Sequence, residues 1–104
     1  MYTIMQGESL RIPATVEDKS AVSNLIVQIK KSVSGSIPGS SAPVISNMTV
    51  SDYSDSEITD GYLFSLLNTT VLTPGLYYIN YSYSIGGGTA LGVPIKLAVN
   101  KGVI

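Results

Sequence analysis

The amino-acid sequence predicts an all-β domain, an antiparallel β-sandwich of about seven short strands without a disulfide, and three observations carry that expectation. Three segments alternate apolar and polar residues with a period of two. Clusters of Gly, Pro, Asn, Asp and Ser recur between the alternating segments, where turns are needed. The chain has 104 residues and no cysteine, enough for one domain over 1–104 with a single unstapled core.

In chain order, Tyr2–Met5 is a short apolar first strand, which reads equally as an arm adding to a neighbouring subunit's sheet. The second strand sets Leu10, Ile12, Ala14 and Val16 against Ser9, Arg11, Pro13 and Thr15. Residues 19–31 are ambiguous. Val22, Leu25, Ile26 and Ile29 fit a helical stripe behind Asp18, but the near-continuous β-branched run from 25 to 29 favours a strand over 25–33. Residues 32–43, SVSGSIPGSSAP, form a loop with little apolar area to offset its ordering entropy. Weaker strands follow at 44–50 and 61–67. The clearest alternation sets Tyr77, Ile79, Tyr81, Tyr83 and Ile85 against Tyr78, Asn80, Ser82 and Ser84, so the first set faces the core and Tyr78 the opposite side. Gly86, Gly87 and Gly88 make a hairpin turn into a last strand alternating through Leu91, Val93, Ile95, Leu97 and Val99. Pro13 and Pro94 belong at edges or bulges, because proline cannot donate to a ladder.

Composition narrows function further. Charged residues make up 12% of the chain, against roughly 25% in an ordinary soluble domain. The absence of histidine and cysteine excludes imidazole triads, thiol nucleophiles, Cys/His zinc sites and haem ligation by those groups. Six basic against seven acidic residues give no electrostatic footprint for nucleic acid. Residues 61–95 carry no charge, but Asn, Thr, Pro and Gly interrupt them too often for a membrane-spanning helix. The start MYTIMQGESL lacks the cationic and apolar regions of a signal peptide. No enzyme activity and no cofactor are expected.

The acidic residues Asp52, Asp55, Glu57 and Asp60 fall within nine positions and are a weak calcium candidate, because calcium takes oxygen ligands. Their spacing departs from the EF-hand pattern, and a solvated loop leading into the strand at 61–67 is the simpler reading. A glycosidase pair drawn from the same carboxylates has little concave surface in so small a sandwich and no nearby aromatics except Tyr53 and Tyr62. Lys30 with Lys31, and Lys96 with Lys101, read as solubilising charges on exposed strands.

The segment 7–14, GESLRIPA, resembles the second strand of immunoglobulin domains, with Ala14 where the first core cysteine stands. The segment 74–79, PGLYYI, is similar to their strand F, with Tyr77 as the tyrosine-corner residue and Ile79 in place of the second cysteine. The resemblance implies an immunoglobulin-like sandwich whose structural core includes Ala14, Tyr77 and Ile79, aliphatic groups filling the volume of the disulfide. The layout, with a short first strand, Gln6–Gly7, the LTPGLY turn at 72–77 and a last strand running to the terminus, looks like the small Ig-like domains of tailed-bacteriophage virions.

That likeness implies a non-enzymatic structural protein, made in the host cytoplasm and placed in the virion. Capsid decoration or cementing is the first expectation. Tail or baseplate attachment, or a stand-alone module recognising a glycan or cell surface, is the alternative. The implied partners are capsid or tail subunits, met by a homo-oligomer or by repeated copies, with no nucleic acid and no membrane. Tyr2, Ile4, Met5 and Tyr78 are candidate interface residues. Charges are absent from 32–51 and 61–95 and cluster in 17–19, 30–31 and 52–60. Two long neutral stretches in so small a domain suggest surfaces that meet other proteins.

Overall fold

The computed structural model describes residues 1–16 and 18–102; Glu17 of the charged cluster at 17–19, and Val103 and Ile104 at the expected end of the last strand, lie outside the described residues. The chain is all-β. Its strands are β1 (Tyr2–Met5), β2 (Leu10–Thr15), β3 (Ser23–Lys31), β4 (Val44–Asn47), β5 (Thr49–Tyr53), β6 (Gly61–Leu66), β7 (Gly75–Ile85), β8 (Gly88–Leu91) and β9 (Ile95–Asn100). The larger sheet runs β1-β9-β7-β3-β4, with β8 beside the far half of β7; the smaller runs β2-β6-β5. All pairings are antiparallel except β1 with β9. This is the strand order of an immunoglobulin-like sandwich.

Residues 19–31 resolve as a short 3-10 turn, Lys19–Ala21, followed by β3. Asn24, with φ 52°, accommodates a bulge where Ser23 pairs with Ser84 but Ile26 with Ser82. Pro13 lies on β2, an edge strand that pairs with β6 alone, the position in a sheet where proline is tolerated. Gly86 (φ 58°) and Gly87 (φ 80°) form a two-residue turn whose left-handed backbone matches strand twist, and Gly88 opens β8.

Two expected strands divide, which turns seven into nine. The stretch 44–50 breaks at Met48, which is buried and donates its N–H to Val27 O at 2.9 Å. Before it the chain pairs with β3 in the larger sheet; after it the chain pairs with β6 in the smaller. The stretch 91–99 breaks at Gly92–Pro94. Ile79 pairs with Ile95 and Ser82 with Leu91, so four steps on one side oppose three on the other. One extra residue reverses the parity of what precedes it. Leu97 and Val99 are buried as alternation requires, but Leu91 and Val93 are 81% and 79% exposed rather than core.

The core lies between the sheets: Leu10, Ile12 and Phe64 from the smaller meet Val27, Ile29, Tyr77, Ile79, Leu97 and Val99 from the larger, with Met48 and Leu72 at its margins. Ile79 is fully buried, and Ala14 packs partly buried against the same cluster. Tyr77 forms the corner expected of it. Its hydroxyl donates to Thr73 O at 2.6 Å, leaving the Thr73 hydroxyl, 3.1 Å away, to donate back. Tyr77→Phe is therefore expected to cost about 1 kcal/mol in chemical denaturation, because it removes these bonds but keeps the ring.

Thr69, fully buried in the 3-10 turn Thr69–Val71, ties the β1–β2 connection to the turn that follows β6. Its Oγ1 accepts from Gly7 N at 2.8 Å and donates to Glu8 O at 2.6 Å.

Candidate functional site

The outward face of the larger sheet carries a concave surface with convergent polar groups. Side chains alternate across a strand, so burial of Val27 and Ile29 on β3 and of Ile79 on β7 sends Ile26, Gln28, Lys30, Tyr78, Asn80 and Ser82 outward. Gln28 pairs with Asn80, Lys30 with Tyr78, and Ile26 with Ser82. Two segments wall this floor. The loop 32–43 brings Pro38, Gly39 and Ser40 to one side, and the bulge after β8 brings Leu91, Gly92 and Pro94 to the other. Between them lies a cleft of about 360 Å³.

The loop folds back because its backbone is tied at its start. Ser32 N donates to Leu76 O at 2.9 Å, Ser32 Oγ donates to Ser36 O at 2.9 Å, and Ser34 and Gly35 adopt left-handed backbone in the turn between. The loop covers two residues that parity alone would leave exposed. Tyr78, a candidate interface residue, is only 9% exposed, its hydroxyl 3.4 Å from Gly35 O, so it offers no free ring on the surface. Lys30, expected as a solubilising charge, is 8% exposed and donates through Nζ to Ser40 O at 3.1 Å and Gly39 O at 3.4 Å. A local loop seals what strand periodicity assigned to solvent.

On the opposite wall, Tyr81 and Gly92 fit each other. Gly92 N donates to Tyr81 O at 2.8 Å, and the Tyr81 ring occupies the space a Cβ at residue 92 would need. That ring packs on Phe64 at a centroid distance of 5.4 Å and a tilt of 54°. Tyr81 and Tyr83 are half-buried, whereas Tyr77 is core.

The N-terminal residues form a strand of the chain's own sheet. Tyr2–Met5 pair in parallel with Leu97 through Asn100 of β9. Ile4 packs on the core, and Tyr2 and Met5 stand 42% and 46% exposed on the edge. Exposed residues Tyr2 and Met5 therefore remain available to a neighbour.

The acidic segment does not converge on a cation site. Asp55 Oδ1 accepts from Glu57 N at 2.7 Å and Ile58 N at 2.9 Å, and its Oδ2 accepts from the Tyr53 hydroxyl. Asp52 and Asp60 instead meet Lys19 Nζ, at 2.7 and 4.0 Å. Lys19 also lies 4.8 Å from the centre of the Tyr62 ring. Among the described residues no three acidic groups are arranged to hold a metal ion. The calcium candidates Asp52, Asp55, Glu57 and Asp60 thus lie in a loop stapled by an Asx turn and an ion pair.

The Tyr53 hydroxyl bond, then the amides of Ile58 and Glu57, hold the Asp55 carboxyl below its ordinary value of 3.8. The same bond raises the Tyr53 phenol, and Asp52 raises Lys19. Because folding lowers the Asp55 value, its contribution is complete above 3.8 and fades as pH falls through the depressed folded value. Protection of the Glu57 and Ile58 amides, measured against their intrinsic exchange rates at each pH, is expected to fall in that acid window in the native chain. Asp55→Asn should remove this pH dependence of protection; an unchanged dependence would contradict this assignment.

The cleft was not legible as a site from the sequence, although its parts were. Asn80 appears there as an ordinary polar position of the outward parity, and Pro94 as the sign of an edge or bulge. Compared with protein-family models, curated proteins and solved structures, the chain matches none.

Proposed function

We propose that this chain is a non-enzymatic structural domain of a phage particle, a capsid decoration or cement protein that binds neighbouring virion subunits through the outward face of its larger sheet. The observation that carries the reading is the exposure of Leu91 and of Val93, two residues on in the bulge, with Ile26 at 51% on the cleft floor. A parity reversal that turns two aliphatic side chains into water costs stability in a lone monomer. It is accounted for where another protein covers them. The surrounding surface is poor in charge, so contact rests on shape, apolar burial and hydrogen bonds, multiplied by repeated copies.

The sequence resemblance to small Ig-like virion domains supplies the assembly. Tail or baseplate attachment uses the same face and partner class. The glycan-recognition reading has less support, because the one aromatic residue lining the cleft, Tyr81, has its ring packed on Phe64. The test applies antibodies against the recombinant domain to gradient-purified phage particles from the source. Labelling of capsids at regular positions supports decoration. Labelling of the tail moves the protein to the alternative. Absence from particles, or specific saccharide binding on a glycan array, overturns the proposal.

A further inference from the structure

The cleft carries a chemical demand that apolar contact with a neighbour does not meet. Lys30 is 92% buried beneath the loop 32–43, and Gly39 O and Ser40 O take two of its three ammonium donors. Among the described residues no carboxylate lies within ion-pair distance of it; those ion pairs all belong to Lys19. A buried cation facing only carbonyl dipoles is incompletely compensated. Independently, Asn80 Nδ2 is buried without a hydrogen-bond partner. Both residues line the cleft, and on the outward face Asn80 stands one position diagonal to Lys30, since Lys30 pairs with Tyr78 and Gln28 with Asn80. Two under-used donors, one of them charged, therefore line one cavity. Ile26, Leu91 and Pro94 supply the apolar part of the lining.

We propose that this cleft binds a carboxylate on a short aliphatic body, the carboxylate oxygens accepting from Lys30 Nζ and Asn80 Nδ2 and the body lying on Ile26, Leu91 and Pro94. A volume of about 360 Å³ is at the lower end of small-molecule sites, which suits a group of this size. A carboxylate satisfies both donors at once, since each of its oxygens accepts more than one bond. The same chemistry comes from a free aliphatic acid or from a peptide's C-terminal aliphatic residue, and the probes separate the two. The assignment does not depend on the protein's place in a particle.

The test titrates the ¹⁵N-labelled domain with octanoate, with N-acetyl-leucine, and with the two corresponding primary amides. The expected result is saturable shifts of the Asn80 side-chain amide and the Gly39 and Ser40 backbone amides, with an acid binding at least tenfold more tightly than its amide. Response to octanoate alone assigns a free acid, and response to N-acetyl-leucine assigns a chain terminus. Lys30→Met is expected to abolish the preference for acid over amide. Asn80→Asp, which puts a like charge beside the ligand, should weaken acid binding but not amide binding. Acid and amide binding equally to the native domain, or no response at these residues to any probe, overturns the proposal without reference to the variants' folding.

Discussion

Replacing Phe64 by alanine is expected to destabilise the domain by about 3 to 5 kcal/mol, the largest single effect of any substitution considered. Phe64 is 1% exposed and sits at the centre of β6, between the two outer strands of the smaller sheet, opposite Ile12 and Val50. Its ring is also what Tyr81 packs against from the larger sheet. Removing it opens a cavity at the point where the sheets meet and leaves Tyr81 without its partner. Against a typical total of roughly 5 to 15 kcal/mol for a domain, the loss is a large fraction of stability. Chemical denaturation should show a much lower midpoint with an unchanged slope. A loss under about 1 kcal/mol would mean that the two sheets do not share this contact.

Gly92→Val is expected to cost about 1 to 3 kcal/mol although it adds apolar volume. A Cβ at this position falls inside the Tyr81 ring, so either the ring leaves Phe64 or the bulge opens. Both alternatives act on one contact, which gives a specific check. In the double variant with Tyr81→Ala, the cost of the valine should largely disappear, because the clashing atoms are gone. If the two effects add, the close fit of Tyr81 to Gly92 is not what holds the bulge. The same substitution reaches the outward face, since Gly92 lies between Leu91 and the cleft wall at Pro94.

These two sites show how much the sequence carried. The sandwich, the glycine turn, the edge position of Pro13 and the corner role of Tyr77 all follow from alternation, turn residues and one short motif, which are local signals. Three features were beyond it, each for a physical reason. Met48 joins two strands of different sheets, and the Ser46–Asn47 pair before it reads as polar strand positions as readily as a crossing. The bulge was foreshadowed by Pro94, but an alternating pattern with one extra residue still reads as alternation, and Leu91 and Val93 were assigned to the core. The cleft depends on a Ser/Gly/Pro loop returning over Lys30 and Tyr78, a long-range event held by bonds to backbone that residue type does not encode. The acidic segment taught the same point from the other side. Four carboxylates close in sequence are separated in space by what each one bonds.

The central claim is that the outward apolar residues around the bulge are covered by another protein when the domain is in its assembly. The absence of native cysteine makes Leu91→Cys a unique reporter at a position 81% exposed in the isolated chain. Maleimide labelling of this variant, compared between the free domain and purified particles that carry it, measures that coverage directly. Rapid labelling of the free domain and protection in the particle is the expected result. Equal labelling in both would contradict the claim and leave the exposed face of the larger sheet without a partner.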